Sequence, residues 1–177
     1  MTDQIKKEME HFGVDNVHAV PRITHVVLNV GVGKQRDDKK YIETVIDGLR
    51  TISGQQPHER RARKAVAGFN VRQGNLVGYR VTLRGTRAED FVRRFVGVTL
   101  PRVRDFRGLP ATSLDGHGNL SVGLSEHLAF PEINPEKVDI TFGIQATFVT
   151  SARTDEQGEA LFRSLGFPLR TEEDEES

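Results

Sequence analysis

Two segments far apart in the chain alternate between apolar and polar positions, and no other feature limits the possible folds as tightly. In residues 23–32, Val26, Leu28 and Val30 fall on one side of an extended backbone, with His25, Val27 and Asn29 on the other. In residues 78–84, Tyr79, Val81 and Leu83 alternate with Arg80, Thr82 and Arg84. A period of two marks strands with one buried face. Residues 119–127 and 140–150 read as two further strands, and 68–78 as a strand ending in a flexible loop around Gln73-Gly74-Asn75.

Helical periodicity fills the gaps. Residues 4–12 have the composition of a short leading helix. Residues 37–52 carry Ile42, Val45, Ile46 and Leu49 on one stripe and stop at Ser53-Gly54. Residues 87–98 turn Phe91, Phe95 and Val98 inward. In 154–165, Thr154 caps, Gln157 completes a capping box and Gly166 ends the helix. The stretch 101–118, rich in Arg, Gly and Pro, is an ordered loop. The sum is a two-layer α+β fold, a mostly antiparallel sheet with helices on one face. The other face would carry His25, Asn29, Arg80, Thr82, Arg84, Ser121, Ser125, Gln145 and Thr147. These side chains suit plain solvation or contact with phosphate and ribose.

At 177 residues, 36% hydrophobic and 28% charged, the chain has the makings of one soluble domain over residues 1–170. Its formal net charge of zero hides an asymmetry. Residues 171–177 hold five acids and no base, which marks a disordered acidic tail. Without that tail, 25 bases face 20 acids. Residues 60–80 hold six cations (Arg60, Arg61, Arg63, Lys64, Arg72 and Arg80) and no anion. Positive charge gathered this way points to a polyanionic partner, nucleic acid first. Arg63 and Lys64 suit phosphate contacts, which supply affinity and salt dependence but no sequence readout. Asn29, Gln55 and Thr82 combine donors and acceptors that can meet 2′-hydroxyls or base edges.

Catalytic and cofactor patterns fail. Gly31-Val32-Gly33-Lys34 lacks both the third glycine of a dinucleotide loop and the Ser or Thr of a phosphate loop. The six His residues show no metal-ligand spacing and suit surface or capping positions. Ser125-Glu126-His127 contains triad residue types, but strand neighbours point to opposite faces. No cysteine is present, which excludes disulfides and fits a reducing cytosol. No apolar run approaches the roughly 20 residues of a membrane span. The expectation is a cytoplasmic protein with no enzymatic activity, cofactor, metal, membrane or small-molecule substrate. Arg102-Val103-Arg104-Asp105-Phe106-Arg107-Gly108 stays open between an Asp105-paired loop and a phosphate site.

Several motifs resemble the 5S rRNA-binding family of the bacterial large ribosomal subunit, protein five, in family order over roughly residues 4–170. They include Val27-Leu28-Asn29-Val30-Gly31-Val32-Gly33, Ile52-Ser53-Gly54-Gln55-Gln56-Pro57, Arg63-Lys64-Ala65 and Val81-Thr82-Leu83-Arg84-Gly85. The longest are Leu100-Pro101-Arg102-Val103-Arg104-Asp105-Phe106-Arg107-Gly108-Leu109 and Ser113-Leu114-Asp115-Gly116-His117-Gly118-Asn119. Phe130-Pro131-Glu132-Ile133 and Thr154-Asp155-Glu156 through Gly166-Phe167-Pro168 complete them.

The resemblance implies a structural constituent of the central protuberance that helps attach 5S rRNA to the 23S rRNA of the large subunit. Asn29, Gln55, Arg63, Lys64, Arg80, Thr82 and Arg84 are the implied 5S rRNA-binding residues. Asn70, Val71, Arg72, Gln73, Gly74 and Asn75 are the implied loop toward P-site tRNA. It also implies a bridge to the small-subunit head protein S-thirteen. The chain departs from the family in a shorter leading helix, His117 for Arg, Asn70 for a cation, Asn75-Leu76-Val77 for Met-Pro-Ile, and the acidic tail. A free-standing RNA-binding module or RNA chaperone is the alternative; a stacking module would need aromatic residues on the sheet face. An RNA-processing enzyme would need paired carboxylates or a His/Lys set in a cleft.

Overall fold

The computed structural model describes Phe12 and residues 16–170. The leading helix expected over 4–12 falls outside these residues except for Phe12, which is helical; the acidic tail falls outside them entirely. Five strands form one antiparallel sheet: β1 Ile23–Gly31, β2 His58–Arg61, β3 Leu76–Arg84, β4 Leu120–Leu124 and β5 Ile144–Thr150, in the order β2-β3-β1-β5-β4. The alternating segments at 23–32 and 78–84 become the adjacent strands β1 and β3. There Asn29 faces Arg80, Val27 faces Thr82 and His25 faces Arg84.

The apolar face of this sheet is the core face. Val26, Leu28, Val81, Leu83, Ala146 and Phe148 are all buried on it. Against it lie α1 (Lys39–Ser53), α2 (Thr86–Arg94) and α3 (Asp155–Ser164). Asp38 caps α1 by accepting from the Tyr41 N–H, and Gly54 ends it in the left-handed conformation at φ 65°. Phenylalanines fill the space beneath. Phe148 stands 5.0 Å from both Phe95 and Phe167, centroid to centroid, and Phe162 5.1 Å from Phe167. Tilted and edge-on packing at such distances adds to plain area burial.

Thr154 caps α3, accepting from the Gln157 N–H, while the Gln157 side chain reaches back to the Arg153 N–H. Asp155 then binds the 116–118 turn. One carboxylate oxygen accepts from Gly116 N (3.0 Å) and the other from Gly118 N (2.7 Å). This closeness needs glycine. A Cβ at Gly158 would sit 2.5 Å from the Gly118 Cα, far inside van der Waals contact.

The structure corrects four sequence expectations. Of residues 68–78, only 76–78 are strand, and they are the start of β3. β2 comes earlier, at His58–Arg61, and residues 62–75 form an excursion whose chain reverses through Asn70 (φ 52°) and Gly74 (φ 87°) before β3 starts at Leu76. Its apolar residues do not alternate onto a buried face, so nothing draws it into the sheet. Val98 does not face inward but is 40% exposed. After Arg94 the helix widens into a π-helical turn, Phe95–Thr99, before Leu100–Arg102. The wider turn rotates Val98 outward and brings Thr99 and Leu100 to the core. The segments 119–127 and 140–150 keep strands only at Leu120–Leu124 and Ile144–Thr150, so Ser125 lies past the end of β4.

The fourth correction is His127, which is a core residue and not a surface one. Its ring is 1% exposed and stacks on Phe142 at 3.9 Å with an interplanar angle of 8°. The Phe142 N–H donates to Nδ1 at 3.3 Å, so the neutral ring carries its proton on Nε2. Gly48 of α1 leaves room for this stack, because a Cβ there would meet the Phe142 ring at 2.7 Å. Burial holds the His127 pKa below its ordinary value. Ser125 and Glu126 are exposed while His127 is buried, so the three cannot act as a triad.

Candidate nucleic-acid interface

The face of the sheet opposite the core is built by parity. Register places His58 and Arg60 of β2 beside Arg80 and Gly78 of β3. Across β1, Asn29 lies between Arg80 and Gln145, and Val27 between Thr82 and Thr147. Ser121 on β4 completes the row; its hydroxyl lies 3.1 Å from that of Thr147. Among the described residues no helix packs on this face, and no Asp or Glu stands on it. Glu59 has the opposite parity and pairs with Arg61 at 2.8 Å.

Three arginines therefore share one sheet face with no carboxylate to neutralise them: Arg60, Arg80 and Arg84. Two of them act on His25. Partial burial, then Arg84 and then Arg80, hold its pKa below the ordinary value. Its Nδ1 lies 3.0 Å from the Thr24 hydroxyl. The Arg80 Nε is shielded from solvent and meets no hydrogen-bond partner among the described residues. A desolvated charged donor of this kind costs free energy unless an acceptor is supplied.

The structure brings some expected residues together and separates others. Gln55, Gln56, His58, Arg60, Arg80 and Thr82 line one open groove of about 310 Å³. Gln55 is set there by the turn after α1: its N–H donates to Ser53 Oγ, which donates in turn to Leu49 O at 2.6 Å. The side chains of Asn29, Gln55, Arg80 and Thr82 make no hydrogen bond to the described residues, so their capacity is free for a ligand. Arg84, two residues beyond Thr82 at the end of β3, shares the face but does not line this groove. Arg63 and Lys64 are not on the sheet face at all. They stand exposed on the 62–75 excursion with Asn70, Arg72, Gln73 and Gly74.

Sequence reasoning counted Arg60 in the basic run but placed neither it nor His58 on the sheet face, because a four-residue edge strand of sequence His-Glu-Arg-Arg has no apolar alternation to reveal it. Phe69, 79% exposed near the turn of the excursion, was the other residue passed over. The arginine loop at 102–108 comes out with a weak internal pairing. Arg104 Nε and Asp105 Oδ2 are 3.9 Å apart, and both side chains are about nine-tenths exposed. The structure thus gives little support to an Asp105-fixed loop. Arg170 Nε instead donates to the Arg107 carbonyl at 2.7 Å.

Comparison with known proteins finds matches along nearly all of the described chain. Residues 16–72 match the family model described as ribosomal protein L5, and residues 76–169 match the model for the C-terminus of the same ribosomal family. The chain belongs to the ribosomal protein L5 family. It is 46% identical over 165 residues to the large ribosomal subunit protein uL5 of Halothermothrix orenii, covering 93% of this chain and 92% of that one. It is 47% identical over 167 residues to the uL5 of Carboxydothermus hydrogenoformans, covering 94% and 93%. Family membership makes the chain a structural constituent of the large ribosomal subunit and not an enzyme. Among the described residues, no helix is long and apolar enough to cross a membrane.

Proposed function

We propose that the acid-free sheet face is the docking surface for 5S rRNA, and that the protein works on the ribosome by holding that RNA in the central protuberance, joined to 23S rRNA. The observation that carries this reading is the combination of three unneutralised arginines with a row of unspent hydroxyl and amide groups. Arginines bind phosphates by charge-assisted hydrogen bonds. Asn29, Gln55 and Thr82 offer the donors and acceptors that ribose 2′-hydroxyls and base edges require. Tyr79 is 3% exposed on the core side, so the face lacks the aromatic platform of a base-stacking module. That weighs against a free-standing RNA-binding module or chaperone.

The 62–75 excursion is the segment that reaches P-site tRNA in this reading. It projects exposed cations and Phe69 away from the sheet, and a bridge to protein S-thirteen of the small-subunit head follows from the same placement on the ribosome. Binding of the purified protein to 5S rRNA, with tRNA and an unrelated RNA as competitors, tests the first step. Selective binding whose logarithm falls steeply and linearly with log salt supports it. Equal, weak binding to all three RNAs overturns it. Arg72→Ala tests the second step, and should impair tRNA-dependent ribosome function more than 5S affinity.

A further inference from the structure

We infer that Arg36 is a positioning residue for the 62–75 excursion, a side chain from the β1–α1 connection that fixes the stance of the loop. The inference rests on the reading of that loop as an RNA contact. The excursion is weakly tied to the body by its own backbone. Val66 and Val71 exchange hydrogen bonds at 2.8 and 3.2 Å, and Ala62 N and Gly74 N close its base through Asn75 O and Ala62 O. Nothing in that ladder fixes its angle to the sheet.

Arg36 supplies a cross-link from elsewhere in the chain. Its Nη1 donates to the Asn70 carbonyl at 3.2 Å, at the residue whose left-handed backbone turns the loop. With its amide oriented so that Oδ1 faces the cleft, Asn75 accepts from the same Nη1 at 3.3 Å and from the Arg72 N–H at 3.2 Å. The opposite orientation would set an NH₂ group against two donors. One nitrogen thus holds both arms of the loop, one bond on each side of Arg72.

The platform under Arg36 is itself fixed. Val32 N donates to Val77 O at 3.0 Å, tying the end of β1 to the first residues of β3, and Gln35 N and Asp38 N close successive turns around Arg36. The Arg36 side chain is 27% exposed, and the carboxylate paired with it, Asp37, is 3.8 Å away and 95% exposed. Such a pairing is too solvated to draw the guanidinium off the loop. Arg36 and Arg72 line one open cleft of about 690 Å³, so the latch also leaves two cations facing the same space.

The test is hydrogen exchange of the full chain with wild type, Arg36→Ala and Arg36→Lys, read beside 5S rRNA binding and tRNA-dependent ribosome function. Arg36→Ala should speed exchange at amides 66–74 about three- to tenfold, leaving β1, β3 and β5 unchanged. 5S affinity should stay within about twofold, because Arg36 is off the sheet face. Arg36→Lys should restore part of the protection, since an ammonium can donate to both oxygens but lacks the planar reach of the guanidinium. Unchanged exchange in 66–74 for Arg36→Ala overturns the latch. Faster exchange with intact tRNA function, where Arg72→Ala does impair it, overturns the positioning role. If neither variant touches tRNA function, the RNA reading of the loop falls and takes the positioning role with it.

Discussion

The sheet face and the 62–75 excursion present the same residue types to solvent on opposite structural terms. On the sheet, each polar side chain is placed by register. Asn29 cannot move without β1, which is paired on both sides over most of its length. On the excursion, residues 63–70 are all exposed, and the backbone is held by a handful of hydrogen bonds and two arginine side chains, Arg36 on Asn70 O and Arg61 on Gly74 O. The first arrangement suits a permanent partner, because rigid groups lose little entropy on binding. The second suits a partner that comes and goes, because a lightly held loop adjusts at small cost. The charge run at 60–80 is therefore not one surface. β2 and the excursion divide it, and Arg60 and Arg80 belong to one surface while Arg63, Lys64 and Arg72 belong to the other.

The largest expected effect comes from beneath the sheet. Phe148→Ala removes a fully buried ring in contact with Phe91, Phe95, Phe162 and Phe167. It should cost about 3–5 kcal/mol of stability by chemical denaturation. 5S affinity should fall with it, because the face is only as ordered as its core. Retained stability would mean that the core tolerates a cavity and that the rigidity of the face has another source.

Next in size is the face itself. Arg80→Ala should weaken 5S rRNA binding by about 1.5–3 kcal/mol, the range for a hydrogen bond to a charged group. It should leave the melting temperature nearly unchanged and reduce the salt slope by close to one phosphate contact. Thr82→Val keeps the shape and removes a hydroxyl, and should cost about 1 kcal/mol or somewhat more in 5S affinity with the fold intact. The two measurements together separate the charge on this face from its hydrogen bonding. Unaltered affinity in both variants would move the 5S site off the sheet.

Acid sharpens the comparison by acting on the body alone. His25 and His127 both have folded-state pKa values below the ordinary one, His127 through burial and His25 through burial plus Arg84 and Arg80. The unfolded chain therefore binds more protons than the folded one once pH drops below about 6.5, so stability falls with acid in that window. Denaturation midpoints should decrease from about pH 7.5 to about pH 5.5. His127→Gln should flatten part of that slope, whatever its cost at neutral pH. An unchanged slope would place the acid sensitivity elsewhere.

How much of this was legible in the sequence follows from how each part is stabilised. β1 and β3 were readable residue by residue, because burial on one side imposes a period of two and every polar position then falls on the free face. α1 and α3 were readable from their stripes and caps. β2 was not, since an edge strand owes its place to pairing with β3 and buries little of its own. Val98 was misplaced because a π-helical turn leaves no mark in a pattern counted at 3.6 residues per turn. His127 was misjudged for a related reason: its partner Phe142 is 15 residues away, and only the fold brings the two rings together. Of the expected site, Asn29, Gln55, Arg80 and Thr82 cluster because they sit on or beside paired strands. Arg63 and Lys64 fall away from them because adjacency in sequence says nothing about which side of a turn a residue occupies.

The smallest expected effect on stability comes from the tip of the excursion. Phe69 is 79% exposed, and the ring contacts among the core phenylalanines do not include it. Phe69→Ala should change folding stability by no more than about 0.5 kcal/mol, as for a surface site that packs against nothing. Val66, 45% exposed, stands on the same excursion, and exposed apolar side chains grouped in this way mark a contact surface for a partner. The same variant should therefore reduce tRNA-dependent ribosome function while 5S affinity and the exchange rates of β1, β3 and β5 stay at wild-type values. A loss of stability near that of Phe148→Ala would show that Phe69 belongs to the body after all, and the division between rigid face and lightly held loop would fail at the residue chosen to define it.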